Sequence, residues 1–400
     1  MRATVRVGWR VGAAGAVTLL LASCGADAVP QGGETALGVD SPVAVQPTSP
    51  PREFTMVATG DPLIHEDFWY QAMADAAVTG NGDMDYYPLM ANVAAITSDA
   101  DYAVCHMETV VAPRGGPYSG YPVFSVPPQI IDAKAQMGYD LCTTASNHTF
   151  DDGAEGIDRT LGELDAAGIA HAGSARTPQE AATPTIVEVQ TEQGAVKVGH
   201  LNYTFGFNGI PAPNGEIWRG NKIDVPAIKA EAARAKAAGA EVVILTMHWG
   251  TEYQTEPDAD QIAQAQELMA SPDIDHIIGG HVHVVQPITK INDKWVTYGH
   301  GNLFACHRDW GQPNEEGLLT RFTFTEQPGG GFTSTKAEYL PLLSTCTFDG
   351  PTRVMNIPKA FETGDFGAYG QDRLQLAWDR TTATVNSMGA EAQGLQLLEQ

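Results

Sequence analysis

Positive charge is scarce in this chain. Lys and Arg number 23 against 48 Asp and Glu, a formal net charge of −25 at pH 7. Phosphate backbones need Lys and Arg to neutralise them, so the balance argues against nucleic acid as a partner. It argues equally against adhesion to anionic lipid by charge alone. Cysteine is also sparse, with five residues and no CxxC spacing, so a thiolate metal cluster is not expected. No GxSxG nucleophile elbow occurs, no Walker-type phosphate loop, and no GxGxxG after a strand. Nucleophile-based hydrolysis and dinucleotide chemistry therefore have little support. The apolar stretch Val11–Ala22 is too short to span a bilayer comfortably.

What is present begins with a targeting segment. Arg2, Arg6 and Arg10 precede that apolar stretch, and Leu21-Ala22-Ser23-Cys24 has the form of a lipoprotein cleavage site. Residues 1–23 are read as a lipoprotein signal peptide, with Cys24 carrying lipid; the alternative is an ordinary secretory signal cleaved nearby. Residues 24–52, rich in Gly, Pro, Ser, Thr and Val, read as a flexible tether. Residues 53–350 form the expected main domain, and 351–400 a partly helical C-terminal extension. The expected location is extracytoplasmic, held to the cell membrane by the lipid anchor only. Beyond residue 23 the chain keeps 20 basic residues against 48 acidic ones, so an anionic substrate needs a metal or a local basic pocket to offset repulsion. Cys105, Cys142, Cys306 and Cys346 permit two disulfides in three pairings. The pairing 105–142 with 306–346 is favoured, and buried free thiols are the alternative.

Apolar runs alternate with helical periodicity. Helices are expected over 88–98, 128–137, 154–167, 225–238 and 259–270, with Gly138, Gly168 and Gly239 as stops. Strands are expected between them, which signals a largely parallel α/β sheet. Residues 185–190 and 196–203 read as a hairpin. Past residue 284 the pattern turns β-rich, which a second sheet packed on the first would explain. A last helix is expected near 371–387.

Four apolar runs each end on a residue able to bind a metal, and a fifth ends on two. Phe54–Thr59 leads to Asp61 and His65, Tyr102–Met107 to Glu108, and Leu141–Ala145 to Asn147 and His148. Val242–Met247 leads to His248, and His276–Ile278 to Gly279-Gly280-His281-Val282-His283. Such an order predicts parallel strands whose carboxyl ends converge on one site. Asp, Glu, Asn and His supply the oxygen and nitrogen donors that a hard or borderline divalent ion takes. Glu108 is favoured over His106, because a carboxylate can bridge two metals; His106 reads as strand filler. His148 is placed to act on a substrate oxygen. Glu252 and Asn302 are read as residues that orient ligands from behind. His171, His200, His276 and His307 show no partner pattern and read as structural.

As a set, these motifs resemble the CapA-type poly-γ-glutamate capsule-synthesis family, a branch of the calcineurin-like metallophosphoesterases. The matching residues are Gly60-Asp61, Met107-Glu108, Asn147-His148-Thr149-Phe150-Asp151, His248-Trp249-Gly250-Thr251-Glu252-Tyr253, Gly280-His281-Val282-His283 and Gly299-His300-Gly301-Asn302-Leu303-Phe304. They span about 54 to 305. Departures are His106-Met107-Glu108 for the usual Asn-Leu-Glu, Gly-Gly-His-Val-His in the last motif, and three residues between Asp61 and His65. The resemblance implies an α/β fold, a four-layer α/β/β/α metallophosphoesterase-like sandwich. It implies two divalent metal ions (Mn, Fe, Zn or Mg): Asp61, His65 and His283 on one, Asn147, His248 and His281 on the other, and Glu108 between them. It implies a metal-dependent hydrolase acting on a phosphoester or an anionic polymer, working with other capsule-synthesis proteins. The alternative is a non-catalytic surface protein that binds or guides an acidic polymer around a structural metal.

Overall fold

Period-two alternation along the strands lays down the layers. A computed structural model describes residues 50–306, 312–346 and 350–399. The signal segment, Cys24, nearly all of the tether and His307 lie outside these residues. The first half contributes β1 (Glu53–Thr59), β2 (Asp61–Pro62), α1 (Glu66–Thr79), α2 (Tyr87–Asp99), β3 (Tyr102–His106), α3 (Gln129–Gln136), β4 (Leu141–Thr143), α4 (Gly153–Ala167) and β5 (Ala170–Ala172). Next come α5 (Pro178–Ala182), β6 (Thr185–Val189), β7 (Val196–Thr204), α6 (Val225–Ala237), β8 (Val242–His248), α7 (Ala259–Met269) and β9 (His276–Gly280). The remainder adds β10 (Ile288–Ile291), β11 (Lys294–Thr297), β12 (Asn302–Phe304), β13 (Glu316–Glu326), β14 (Phe332–Ser344), β15 (Val354–Asn356), α8 (Ile357–Thr363), α9 (Gly370–Asn386) and β16 (Leu395–Leu397).

One sheet runs β15-β14-β13-β1-β3-β4-β5, with β16 also on β14. Its β1, β3, β4 and β5 are parallel, while β13 returns antiparallel beside β1. The other sheet runs β10-β11-β9-β8-β7-β6, with β7, β8, β9 and β11 parallel. The hairpin of β6 and β7 is antiparallel, as its turn predicts. Phe54, Met56, Tyr102 and Val104 from the first sheet meet Val198, Val242, Ile244 and Ile278 from the second in one buried cluster. Their neighbours Val57, Ala103 and Cys105 face α1 to α4. Val243, Leu245 and Met247 face α6 and α7. Helices thus cover the outer face of each sheet, and the layers read α/β/β/α.

Two expectations are corrected here. The converging strand ends belong to two sheets, not one: β1, β3 and β4 lie in the first, β8 and β9 in the second. The late β-rich region does not form a sheet of its own either. β10 and β11 extend the second sheet, whereas β13 and β14 complete the first. Both favoured disulfides form, Cys105–Cys142 across neighbouring β3 and β4, and Cys306–Cys346. Among the described residues no helix is long and apolar enough to cross a membrane.

The C-terminal segment is tied to β13 by ions. Arg373 on α9 is fully buried, and its Nη1 lies 2.7 Å from Glu316 Oε1. Its Nη2 donates to the Gln312 carbonyl at 2.9 Å, and Arg380 Nε donates to Glu316 Oε2 at 2.9 Å. Removing Arg373 leaves Glu316 with Arg380 alone and takes the cation from beside the buried Glu315 carboxylate, 3.7 Å away, and an uncompensated buried charge is costly. Arg373→Met is therefore expected to cost about 3–5 kcal/mol. A thermal melt should show a drop on the order of 10 °C; an unchanged melting temperature would refute this role.

Candidate metal centre

The same alternation that packs the sheets aims side chains into the gap between them. Along β8, Val242 and Ile244 face the other sheet, so His248 at the strand's end faces it too. Along β3, Tyr102 and Val104 do the same, which turns His106 inward. Asp61 leaves β1 on the short strand β2, which pairs with β12 so that Asp61 sits opposite Asn302. Glycine at 280 is a steric need here, because a Cβ would lie 2.6 Å from Asp61 Oδ1. Past it, His281 and His283 take φ values of 86° and 56°, a left-handed region that few L-residues adopt.

The result is a buried cluster of carboxylates and imidazoles. Asp61 Oδ2 accepts the His281 backbone N–H at 2.7 Å and lies 3.8 Å from His283 Nδ1. Glu108 Oε1 lies 3.7 Å from His283 Nε2 and 3.8 Å from His248 Nε2. His248 Nε2 and Asn147 Oδ1 converge at 2.9 Å. His283 Nδ1 meets Asn302 Oδ1 at 2.9 Å; donation there leaves the lone pair on Nε2, toward Glu108. Ligand atoms of Asp61, Glu108 and His283 all lie within 4.8 Å of one another. The same holds for Glu252, His281 and His283, and for Asp61, His106 and His248.

Burial governs the protonation of the cluster. It pushes the Asp61 carboxyl up to about 7, and lifts Glu108 well above the carboxylate range, with the Asp61 charge adding to the effect. It lowers His106 and His281 to about 3 and holds His248 well below the imidazole range. Burial thus favours the neutral imidazole at His106, His248 and His281 and the protonated carboxyl at Asp61 and Glu108.

Most of the expected site residues come together here: Asp61, Glu108, Asn147, His248, His281 and His283, with Asn302 and Glu252 beside the imidazoles. His65 does not join these groups. It ends as the residue before α1, its Nδ1 accepts the Cys306 N–H at 3.4 Å, and its ring lies 5.9 Å from Phe124. His106, expected as filler, lies inside the cluster, with Nδ1 on Thr143 Oγ1 at 2.8 Å and Nε2 buried without a hydrogen bond. Asp151, part of the matching motif but given no role from sequence, bonds His148 Nδ1 at 2.7 Å and also accepts the Phe124 N–H. His148 lines a pocket of about 730 Å³ that opens on the cluster beside Asn147 and His283.

A family model described as "Bacterial capsule synthesis protein PGA_cap" matches residues 55–306. The PGA biosynthesis protein CapA of Bacillus subtilis is 28% identical over 187 residues, which cover 46% of this chain and 47% of that protein. The capsule biosynthesis protein CapA of Bacillus anthracis is 24% identical over 194 residues, 48% of this chain and 46% of that protein. The chain thus spans just under half the length of these relatives. Among solved structures, the calcineurin-like phosphoesterase YfkN of Bacillus subtilis aligns over 83% of this chain and 97% of that one, with a TM-score of 0.45 and 16% identity. With the family model covering more than half of its residues, including every strand end that feeds the cluster, this chain belongs to the bacterial capsule synthesis family PGA_cap.

Proposed function

We propose that this protein is a metal-dependent phosphoester hydrolase of capsule synthesis or export, acting outside the cytoplasm from a lipid anchor on Cys24. One observation carries the hydrolase reading. Both carboxylate oxygens of Glu108 are buried without a hydrogen-bond donor, between His248 and His283. A buried carboxylate needs a proton or a cation. His248 Nδ1, His281 Nδ1 and His106 Nε2 are likewise buried without a hydrogen bond. Such a donor set fits divalent cations such as Mn, Fe, Zn or Mg. Asp61, Glu108 and His283 would hold one, and Asn147, His248 and His281 the second, with Glu108 reaching both; His106 stands beside Asp61 and His248.

Bound cations supply charge for the attacking and departing oxygens. The chain's own residues do the rest. Asp151 holds His148 by Nδ1, so Nε2 is the atom that gives its proton to the departing alcohol. Phe124 packs edge-on against the His148 ring, centroids 4.8 Å apart, which limits its rotation. Asn302 fixes the tautomer of His283, and the buried setting keeps bulk water from competing. Both disulfides support an oxidising compartment, and the relatives' capsule names support the pathway. Among the described residues, no Lys or Arg lines the pocket.

The test is metal content together with turnover of a chromogenic phosphodiester by purified full-length protein. Stoichiometric metal and turnover abolished by chelation are expected. Protein that stays metal-free under replete conditions, or binds metal and turns over no phosphoester, would sink the hydrolase reading.

A further inference from the structure

The wall of the pocket has a character of its own. Tyr121 and Tyr253 both line it, and they are 79% and 52% exposed, unusual for rings beside a buried polar site. Tyr253 sits at φ 65°, yet its N–H is tied to the Val282 carbonyl at 2.7 Å, between the two cluster histidines. Strain of this kind persists where the surroundings enforce it, and it marks ligand clamps. The Tyr253 ring lies 6.2 Å from that of His283. Tyr121 packs edge-on to Phe124 at 6.5 Å, and Phe124 in turn packs on His148. One exposed phenol is therefore braced from the cluster side and the other from the His148 side. The only charged side chain among the described lining residues, apart from histidine, is Glu252.

We propose that this site takes a phosphoester whose alcohol portion carries an uncharged ring, with the ring face lying against Tyr121 and Tyr253; this rests on the hydrolase reading above. Aromatic faces stack on flat rings and on the apolar faces of sugars without needing charge, and they stay effective beside Glu252, where a polyanion is repelled. In the reaction, the P–O bond to the ring-bearing alcohol breaks. Water supplies the hydroxyl that ends on phosphorus and the proton that ends on the alcohol, delivered at His148.

The experiment compares methyl phosphodiesters of three primary alcohols of similar acidity, the 6-hydroxyl of a hexose, 2-phenylethanol and 1-hexanol, with full-length metal-replete protein. At least one ring-bearing ester is expected to exceed the hexyl ester about tenfold in kcat/KM, through KM. The sugar and aryl arms tell which ring is meant. Tyr121→Leu and Tyr253→Leu should bring that ratio close to one, while Tyr253→Phe keeps it. Oligo-γ-glutamate should not compete. Equal turnover of ring and hexyl esters, or a ratio untouched by both Leu variants, would overturn the proposal. Calorimetry with the matching non-hydrolysable phosphonates separates the two readings. Ring preference in binding without any turnover leaves the ring subsite standing and removes the hydrolase; turnover without ring preference does the reverse; neither removes both.

Discussion

Replacing His281 and His283 together by alanine is expected to leave the protein folded, empty of metal and slower on phosphodiesters by roughly a thousandfold or more. The size follows from what is removed. Both imidazoles lie within reach of Glu252, and His283 also of Asp61 and Glu108; in the proposed ligand sets His283 serves one cation and His281 the other, so the pair strips a donor from each. Loss of one well-placed electrostatic partner of a transition state costs about a hundred- to a thousandfold, and this change removes two. Folding should survive, because both residues lie in a loop past β9 at left-handed φ, not in the apolar layers. Asparagine, which tolerates that backbone better than alanine, gives a second pair of variants with the strain removed as a variable. The measurements are metal per chain, turnover, and melting temperature in chelator. A double variant that keeps its metal, or one that loses metal yet retains turnover, would show that the cluster is not the working centre.

The helix stops and strand alternation were legible from residues alone, because they depend on neighbours in sequence. Gly168 closes α4 at φ 75°, as a glycine after a periodic run should. α1 was not anticipated: its buried positions are Phe68, Trp69, Ala72, Asp75 and Ala76, and alanines make a faint stripe. The division of the strands between two sheets was also hidden. β1 pairs with β13, more than 250 residues later, and no local pattern encodes such a partner. In the candidate site, six of the side chains that come together end apolar runs in the sequence. His106 does not, although counting by twos from Tyr102 and Val104 places it on the inward face. His65, suggested by its spacing from Asp61, lies on the wall of the pocket instead of within the three ligand groups, because the chain turns after Pro62 and places it just before α1. Asp151 needed the folded turn, since only there does it reach His148.

Protonation carries the second large effect. His106, His248 and His281 are depressed, so in the folded protein they are already neutral near pH 6, and a cation need not displace protons from them. The carboxyls are raised, Asp61 to about 7 and Glu108 well above the carboxylate range, both chiefly by burial. A cation entering at neutral pH therefore displaces carboxyl protons, and its affinity should rise about tenfold per pH unit for each proton released, through pH 7 and beyond. A site of unshifted Asp and Glu would level off near pH 5. The stability signs follow. Raised carboxyls stabilise the metal-free fold below about pH 4, and that contribution is lost as pH rises through about 7. Depressed histidines act in the other direction: their contribution is present above about pH 6.5 and lost in acid. Buried Lys134, lowered to about 7, opposes the carboxyls above neutrality in the metal-free protein, so an absolute melting curve mixes several groups. The difference between metal-loaded and chelated protein removes whatever Lys134, His200, His276 and His300 contribute equally to both forms. That difference should widen steadily from pH 5.5 to 8.5 as the cation replaces protons on Asp61 and Glu108. Glu108→Gln should flatten the slope by about one proton. A constant difference above pH 6 in the unmodified protein would mean that the two carboxyls ionise unaided, and the unpartnered oxygens of Glu108 would then need another explanation than a cation.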